Sequence, residues 1–163
     1  METQTSETEL GGEISLQIPL SPTLFKGRGE YGIDDKGRLT LPSHMRKPLA
    51  DGGSLAVLDE RAVIWPDEVF DRAVAHLHEL VATQDLTRQH VRGFISNAHP
   101  VSPDTQGRIV VPPAVRIEAG LDGPILILGA GSRIELLPAS SEGLEELFGI
   151  DESIVDALDR ANF

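Results

Sequence analysis

Two segments of the chain combine a carboxylate, a glycine and a guanidinium at one fixed spacing: Asp34-Asp-Lys-Gly37-Arg38 and Asp104-Thr-Gln-Gly107-Arg108. In each, the Asp carboxylate can cap a turn, and Gly supplies the positive φ that a side chain resists. Arg38 and Arg108 then open an apolar run, and two uses of the guanidinium stay open. One is a local ion pair to Asp34 or Asp104 that pins the turn. The other is recognition of phosphate, or of guanine through its O6 and N7, which the planar Arg fork matches. Lys36 on the first turn can add a phosphate contact, and Arg28 and Lys26 extend the basic stretch.

Other chemistry is poorly provided for. There is no cysteine, which removes thiol nucleophiles, thiolate metal sites and disulfides. His78-Glu79 starts a zincin-like pattern, but Ala82 stands where the second His is needed. His76 and His78 are two apart in a helical pattern and point to different faces. Gly129-Ala-Gly131-Ser132 lies where a hairpin loop is expected and lacks the third glycine of a dinucleotide loop. Neither a nucleophile elbow nor a P-loop occurs. No enzymatic activity, metal or cofactor is expected.

The elements that must carry these residues follow from an internal repeat. Asp34 to Arg46 aligns without a gap with Asp104 to Arg116, sharing Asp, Gly, Arg, Pro and Arg, and the likeness continues through Leu55–Leu58 against Ile125–Leu128. Each copy predicts a short strand (Gly29 to Ile33, or Ala98 to Val101), the turn, and a strand headed by Arg38 or Arg108. A proline (Pro42 or Pro112) ends that strand, and one short helix closes at Gly52 or Gly120. A hairpin completes the copy: Leu55–Leu58 with Ala62–Trp65, or Ile125–Leu128 with Arg133–Leu137. Such units are too small to bury a core alone, so the two must pack on each other. Between them, Val69, Phe70, Ala73, Val74, Leu77, Leu80 and Val81 have helical spacing, and a second helix is predicted over about Asp85 to Ala98. One or two acidic amphipathic helices are predicted beyond residue 140. Ile14, Leu16, Ile18 and Leu20 alternate as an added edge strand would.

The 163 residues carry 14 Lys+Arg against 26 Asp+Glu, a net charge of −12 that as a total argues against a nucleic-acid binder. The charge is unevenly placed. Residues 1–13 hold four acids and no base, and residues 141–163 hold seven acids and one base, so ten of the twelve units belong to the ends. Residues 26–47 are +3. Screening over about 8 Å at physiological salt makes that local patch count for more than the total. The apolar stretches are too short to span a bilayer, and the acidic N-terminus has no signal-peptide character, so a cytoplasmic protein without membrane contact is expected.

The tandem Asp-x-x-Gly-Arg turn, apolar strand and proline resemble the MraZ family, within the SpoVT/AbrB-like swapped-hairpin barrels. Phe25-Lys-Gly-Arg-Gly-Glu-Tyr ahead of the first turn is similar to that family's entry, and the likeness covers about residues 25–138. The resemblance implies a mainly β, α+β fold: two AbrB-like units in a pseudo-dimeric barrel, with linking helices. The expected division is a flexible acidic arm (1–24), a first repeat (25–66), a helical linker (67–97), a second repeat (98–139) and an acidic helical tail (140–163). It also implies a ring-like homo-oligomer, associated with the nucleoid, that binds double-stranded DNA at promoter repeats and regulates division and cell-wall genes. The DNA-binding residues it suggests are Arg38, Arg108, Lys36, Arg28 and Lys26, with Asp34, Gly37, Asp104 and Gly107 building the turns. The acidic ends support an alternative: an interaction module of the same fold with weak or lost DNA binding. Its tails would engage a basic protein partner or mask the DNA surface.

Overall fold

The computed structural model describes residues 23–83 and 86–163. The alternation at Ile14 to Leu20, the arm up to residue 22, and Asp85 at the expected start of the second linking helix lie outside them. The first half contains strands β1 (Arg28–Tyr31), β2 (Arg38–Thr40), β3 (Gly53–Leu58) and β4 (Arg61–Pro66). Helices α1 (Asp67–Ala82) and α2 (Arg88–Ser96) follow. The second half contains β5 (His99–Val101), β6 (Arg108–Val110), helix α3 (Pro113–Glu118), β7 (Ile125–Gly129) and β8 (Ile134–Pro138). The chain ends in α4 (Leu144–Phe148) and α5 (Glu152–Arg160). The fold is α+β, as expected.

Neither half pairs only with itself. β1 runs antiparallel to β7, and β5 to β3, so the first strand of each half is added to the hairpin of the other. β4 pairs with β8, giving one six-stranded sheet in the order β1-β7-β8-β4-β3-β5. β2 and β6 pair as a separate two-stranded ribbon. Among the described residues these ladders do not join into a closed barrel, because β1 and β5 remain the edges of the larger sheet.

Strand alternation explains the layers. Leu39, Leu41, Ile109 and Val111 from the ribbon are fully buried against Leu55, Ile64, Ile125, Ile127, Ile134 and Leu136 of the sheet's inner face. The intervening residues face outward. Ala56, Val63 and Trp65 are covered by the α1–α2 pair, where Trp65, Phe70 and Phe94 pack with ring centroids 5.3–5.8 Å apart. Leu126, Leu128 and Leu137 are covered by Leu144 and Phe148 of α4. Burial of these faces, roughly 25 cal/mol per Å² of apolar surface, is the main attraction holding the halves together.

Two local expectations are corrected. The single short helix predicted in the first half is instead two 3-10 turns, Ser43–Met45 and Lys47–Leu49. Pro48 lacks an N–H for the α-helical ladder and disfavours the α conformation at Lys47. Glu118 stands at the matching place in α3, which continues through it as an α-helix. The second linking helix starts at Arg88, with Thr87 as its cap: Thr87 Oγ1 accepts from His90 N and His90 Nδ1 accepts from Thr87 N, both at 3.2 Å.

Candidate nucleic-acid interface

Each Asp-x-x-Gly-Arg segment closes the same turn. Asp34 N donates to Arg38 O at 3.0 Å, and Gly37 N donates to Asp34 O at 3.0 Å. Asp34 Oδ1 accepts from the backbone N–H of Lys36 (3.0 Å) and of Arg38 (2.8 Å). Its Oδ2 accepts from Arg38 Nε at 2.7 Å. The second turn repeats this, with Asp104 Oδ1 taking Gln106 N and Arg108 N at 2.9 Å, and Oδ2 taking Arg108 Nε at 2.8 Å. The ion pairs weighed as one use of the arginines are therefore present. The Arg38 N–H is foremost in holding the Asp34 carboxyl below its ordinary 3.8; partial desolvation opposes it, and the Arg38 side chain and Lys36 N–H assist. Asp104 is lowered for the same reasons, led by the Arg108 N–H.

These pairs do not exhaust the arginines. Only Nε meets the carboxylate by hydrogen bond; Nη1 and Nη2 make none among the described residues. The carboxylate thus fixes the guanidinium plane and leaves its outer edge for a second, bidentate acceptor, such as phosphate or the guanine edge.

Strand register decides which way those edges face. Arg38 lies opposite Val110, Leu39 opposite Ile109, and Thr40 opposite Arg108. The ladder extends at both ends through Leu41 N to Gly107 O (2.9 Å) and Val111 N to Gly37 O (2.8 Å). Opposed residues of an antiparallel pair share a face, as do residues two apart on one strand. Arg38, Thr40, Arg108 and Val110 therefore share the outer face of the ribbon, with Leu39 and Ile109 buried beneath. Strand spacing puts the two arginine Cα atoms on a diagonal about 8 Å long. An approximate two-fold axis through the Leu39–Ile109 pair exchanges the arginines. A two-stranded ribbon of this kind fits the major groove of B-DNA, which is about 12 Å wide.

The remaining predicted residues are distributed differently. Lys36 is exposed on the first turn, beside Arg38. The Lys26 carbonyl accepts from His44 Nε2 at 3.0 Å, tying that segment to the turn after β2. Arg28 faces away from the ribbon: it lies on the outer side of the main sheet opposite Leu128, its Cζ 4.2 Å from the centre of the Phe148 ring. This cation–π contact engages it with the C-terminal helix α4.

Gly37 and Gly107, at φ +76° and +78°, sit against the other half. A Cβ on Gly37 would come within 2.8 Å of Val111 O and meet the Arg116 guanidinium, and one on Gly107 would run into Arg46. Arg46 and Arg116 are thus clamps over the opposing turns. Arg46 Nε donates to Leu41 O at 2.9 Å. Arg116 Nε is buried with no hydrogen-bond partner among the described residues.

Sequence reasoning did not single out Thr40 or Val110 as surface residues of the ribbon. A signal existed: with Ile109 and Val111 facing the core, strict alternation turns Val110 outward. It also missed Glu135, a nearly buried carboxylate held by Arg61 Nη1 (2.9 Å) and by Arg133 Nη2 (2.8 Å), because this triad assembles across 74 residues of chain. Among the described residues there is no cluster of His, Asp and Glu suited to a metal, and no helix long and apolar enough to cross a membrane.

Comparison with known proteins agrees with the architecture. The family model described as "MraZ protein, putative antitoxin-like" matches residues 94–141. A protein named transcriptional regulator MraZ from Arthrobacter sp. (strain FB24) is 36% identical over 119 residues, covering 72% of this chain and 84% of that protein. Its namesake from Kineococcus radiotolerans is 39% identical over 114 residues, 69% of this chain and 80% of its own. The one from Kocuria rhizophila is 37% identical over 119 residues, 72% and 83% of the two chains. With likeness at this level running across both halves of the swapped sheet, the chain belongs to the MraZ family of transcriptional regulators.

Proposed function

We propose that this protein is a sequence-specific double-stranded DNA-binding regulator that presents its β2–β6 ribbon to the major groove. It acts, on this reading, as a nucleoid-associated homo-oligomer at promoter repeats of division and cell-wall genes, and it has no enzymatic role. The observation that carries the reading is the shared outer face of Arg38 and Arg108, each with Nε held by its own Asp and its outer edge open. The carboxylates act as positioning groups: a guanidinium fixed before encounter loses less side-chain freedom on binding. Lys36 adds a charge that strengthens binding to any sequence, while the arginines supply discrimination between bases. Repeated copies in an oligomer multiply modest single contacts along spaced DNA sites.

The test is selection of bound DNA from a random pool, followed by anisotropy titration at two salt concentrations. Arg38→Ala and Arg108→Ala should each lose base preference, and Asp34→Asn should weaken binding without removing a positive charge. Lys36→Ala should lower the salt slope by about one per ribbon while leaving the preferred site unchanged. Absence of binding at low salt, or full affinity after both arginine substitutions, overturns the proposal.

A second reading, an interaction module whose acidic tail meets a basic protein partner, is favoured by α5. That helix exposes Ile154, Val155 and Leu158 beside Glu152, Asp156 and Asp159. Deleting residues 149–163 while leaving α4 in place should abolish protein partner binding if this holds. Masking of the ribbon by the tail predicts tighter DNA binding after the same deletion, and unchanged affinity rejects it.

A further inference from the structure

We infer that Thr40 and Val110 give the ribbon a direction, so that one protomer reads an asymmetric DNA site in a single orientation, with Val110 contacting a thymine methyl group. The inference rests on the DNA-binding reading above and goes beyond it, from where the protein binds to which way round.

The two-fold axis through Leu39 and Ile109 exchanges Arg38 with Arg108 and Thr40 with Val110. A fully symmetric ribbon would read a palindrome and bind it equally in both directions. Among the outward residues of the two strands, the arginine pair keeps the symmetry and the Thr40–Val110 pair breaks it; on the flanking turns Lys36 answers to Gln106, a difference of charge toward the phosphates. Val110 is 59% exposed, while its neighbours Ile109 and Val111 fill the core. The fold does not require the difference. Valine and threonine have nearly the same shape and both favour strands, so either would serve at either exposed position. What differs is chemistry. Valine offers two methyl groups, which suit the C5-methyl of thymine in the major groove, whereas threonine offers one methyl and a hydroxyl able to donate or accept. Because Val110 lies directly opposite Arg38, the half-site read by Arg38 gains the stronger thymine preference; the half read by Arg108 faces Thr40, whose single methyl gives a weaker one and whose hydroxyl can also serve other bases.

Random-pool selection with the full-length protein, Val110→Thr, Thr40→Val and the double exchange tests this. The unmodified protein should select an asymmetric motif with thymine preferred in one half. Val110→Thr should make the motif symmetric and reduce the preference about fourfold, the worth of roughly one buried methyl. Thr40→Val should raise the thymine preference of the second half to match the first, and the double exchange should reverse the motif's direction. Replacing that one thymine by uracil should weaken the unmodified protein about fourfold and weaken Val110→Thr by less. Thermal midpoints of the variants, expected to match the parent, separate reading from folding. If DNA binds and the motif is symmetric, or is unchanged by the exchanges, the inference is wrong and the DNA-binding reading survives. If no DNA binds at low salt, it is that reading which fails.

Discussion

The two halves are most alike where they meet each other and least alike where they face outward. Around the ribbon the match is close: each Asp takes two backbone N–H groups and its Arg Nε, and each turn glycine lies under the other half's arginine. On the outer face the correspondence ends. Trp65 is covered by a helix pair bearing Phe70 and Phe94, while its counterpart Leu137 is covered by a helix of five residues. Val63 lies directly opposite Glu135, an apolar residue facing a carboxylate that needs two arginines. Residues at the shared interface constrain one another in pairs, since a change in one turn strains the clamp from the other half. Outer faces meet different partners and are free to diverge.

The largest effect should come from that outer difference. Trp65→Ala removes the centre of an aromatic cluster and should destabilise by about 3–5 kcal/mol, against about 2–3 kcal/mol for Leu137→Ala beneath its smaller cover. Urea denaturation measures both, and equal costs would show that the outer faces are equivalent. At the shared interface the prediction is equality. Gly37→Ala and Gly107→Ala both force a Cβ into the left-handed region, and each should cost about 2 kcal/mol or more once the clash with the opposing half is included. A neutral result at either turn would break the claimed match.

A smaller difference should separate the clamps. Arg46→Met forfeits a hydrogen bond to Leu41 O, whereas Arg116→Met removes a buried donor that has no partner among the described residues. Arg46→Met should therefore be the more destabilising by about 1 kcal/mol, read from denaturation midpoints. Acid should act on both turns alike and least of all. Asp34 and Asp104 have folded pKa values lowered below 3.8, so their contribution is full above that value and is lost as pH falls through the lowered folded values. Thermal midpoints of Asp34→Asn and Asp104→Asn should show a shallower decline below pH 4 than the parent, by the same amount for both. A one-sided effect would show that the two ion pairs are not equivalent.

Much of the fold was legible in short stretches of sequence. The turn chemistry of Asp34–Arg38, the alternation in β2 and β6, and the spacing through α1 are local preferences that neighbouring residues express without help. The boundaries that moved did so for local reasons that were also present, as with Pro48 breaking the first helix and Thr87 capping α2. The candidate site was legible only in part. Arg38, Arg108 and Lys36 stand on or beside the ribbon, but Arg28, close to them in sequence, lies against Phe148 on the other side of the main sheet. Charge counting along the chain treats residues 26–47 as one patch; alternating strand faces and two separate sheets divide it.

The sequence by itself determined the pair of turns, the glycines they require, and the concentration of negative charge at the two ends. Tertiary structure alone decided the exchange of β1 and β5 between hairpins, the register that sets Arg38 opposite Val110, and the meeting of Glu135 with Arg61. The physical reason is range. Turns and strand faces follow from contacts a few residues apart, whereas strand partners 44 to 100 residues distant are chosen by which pairing buries both apolar faces at once.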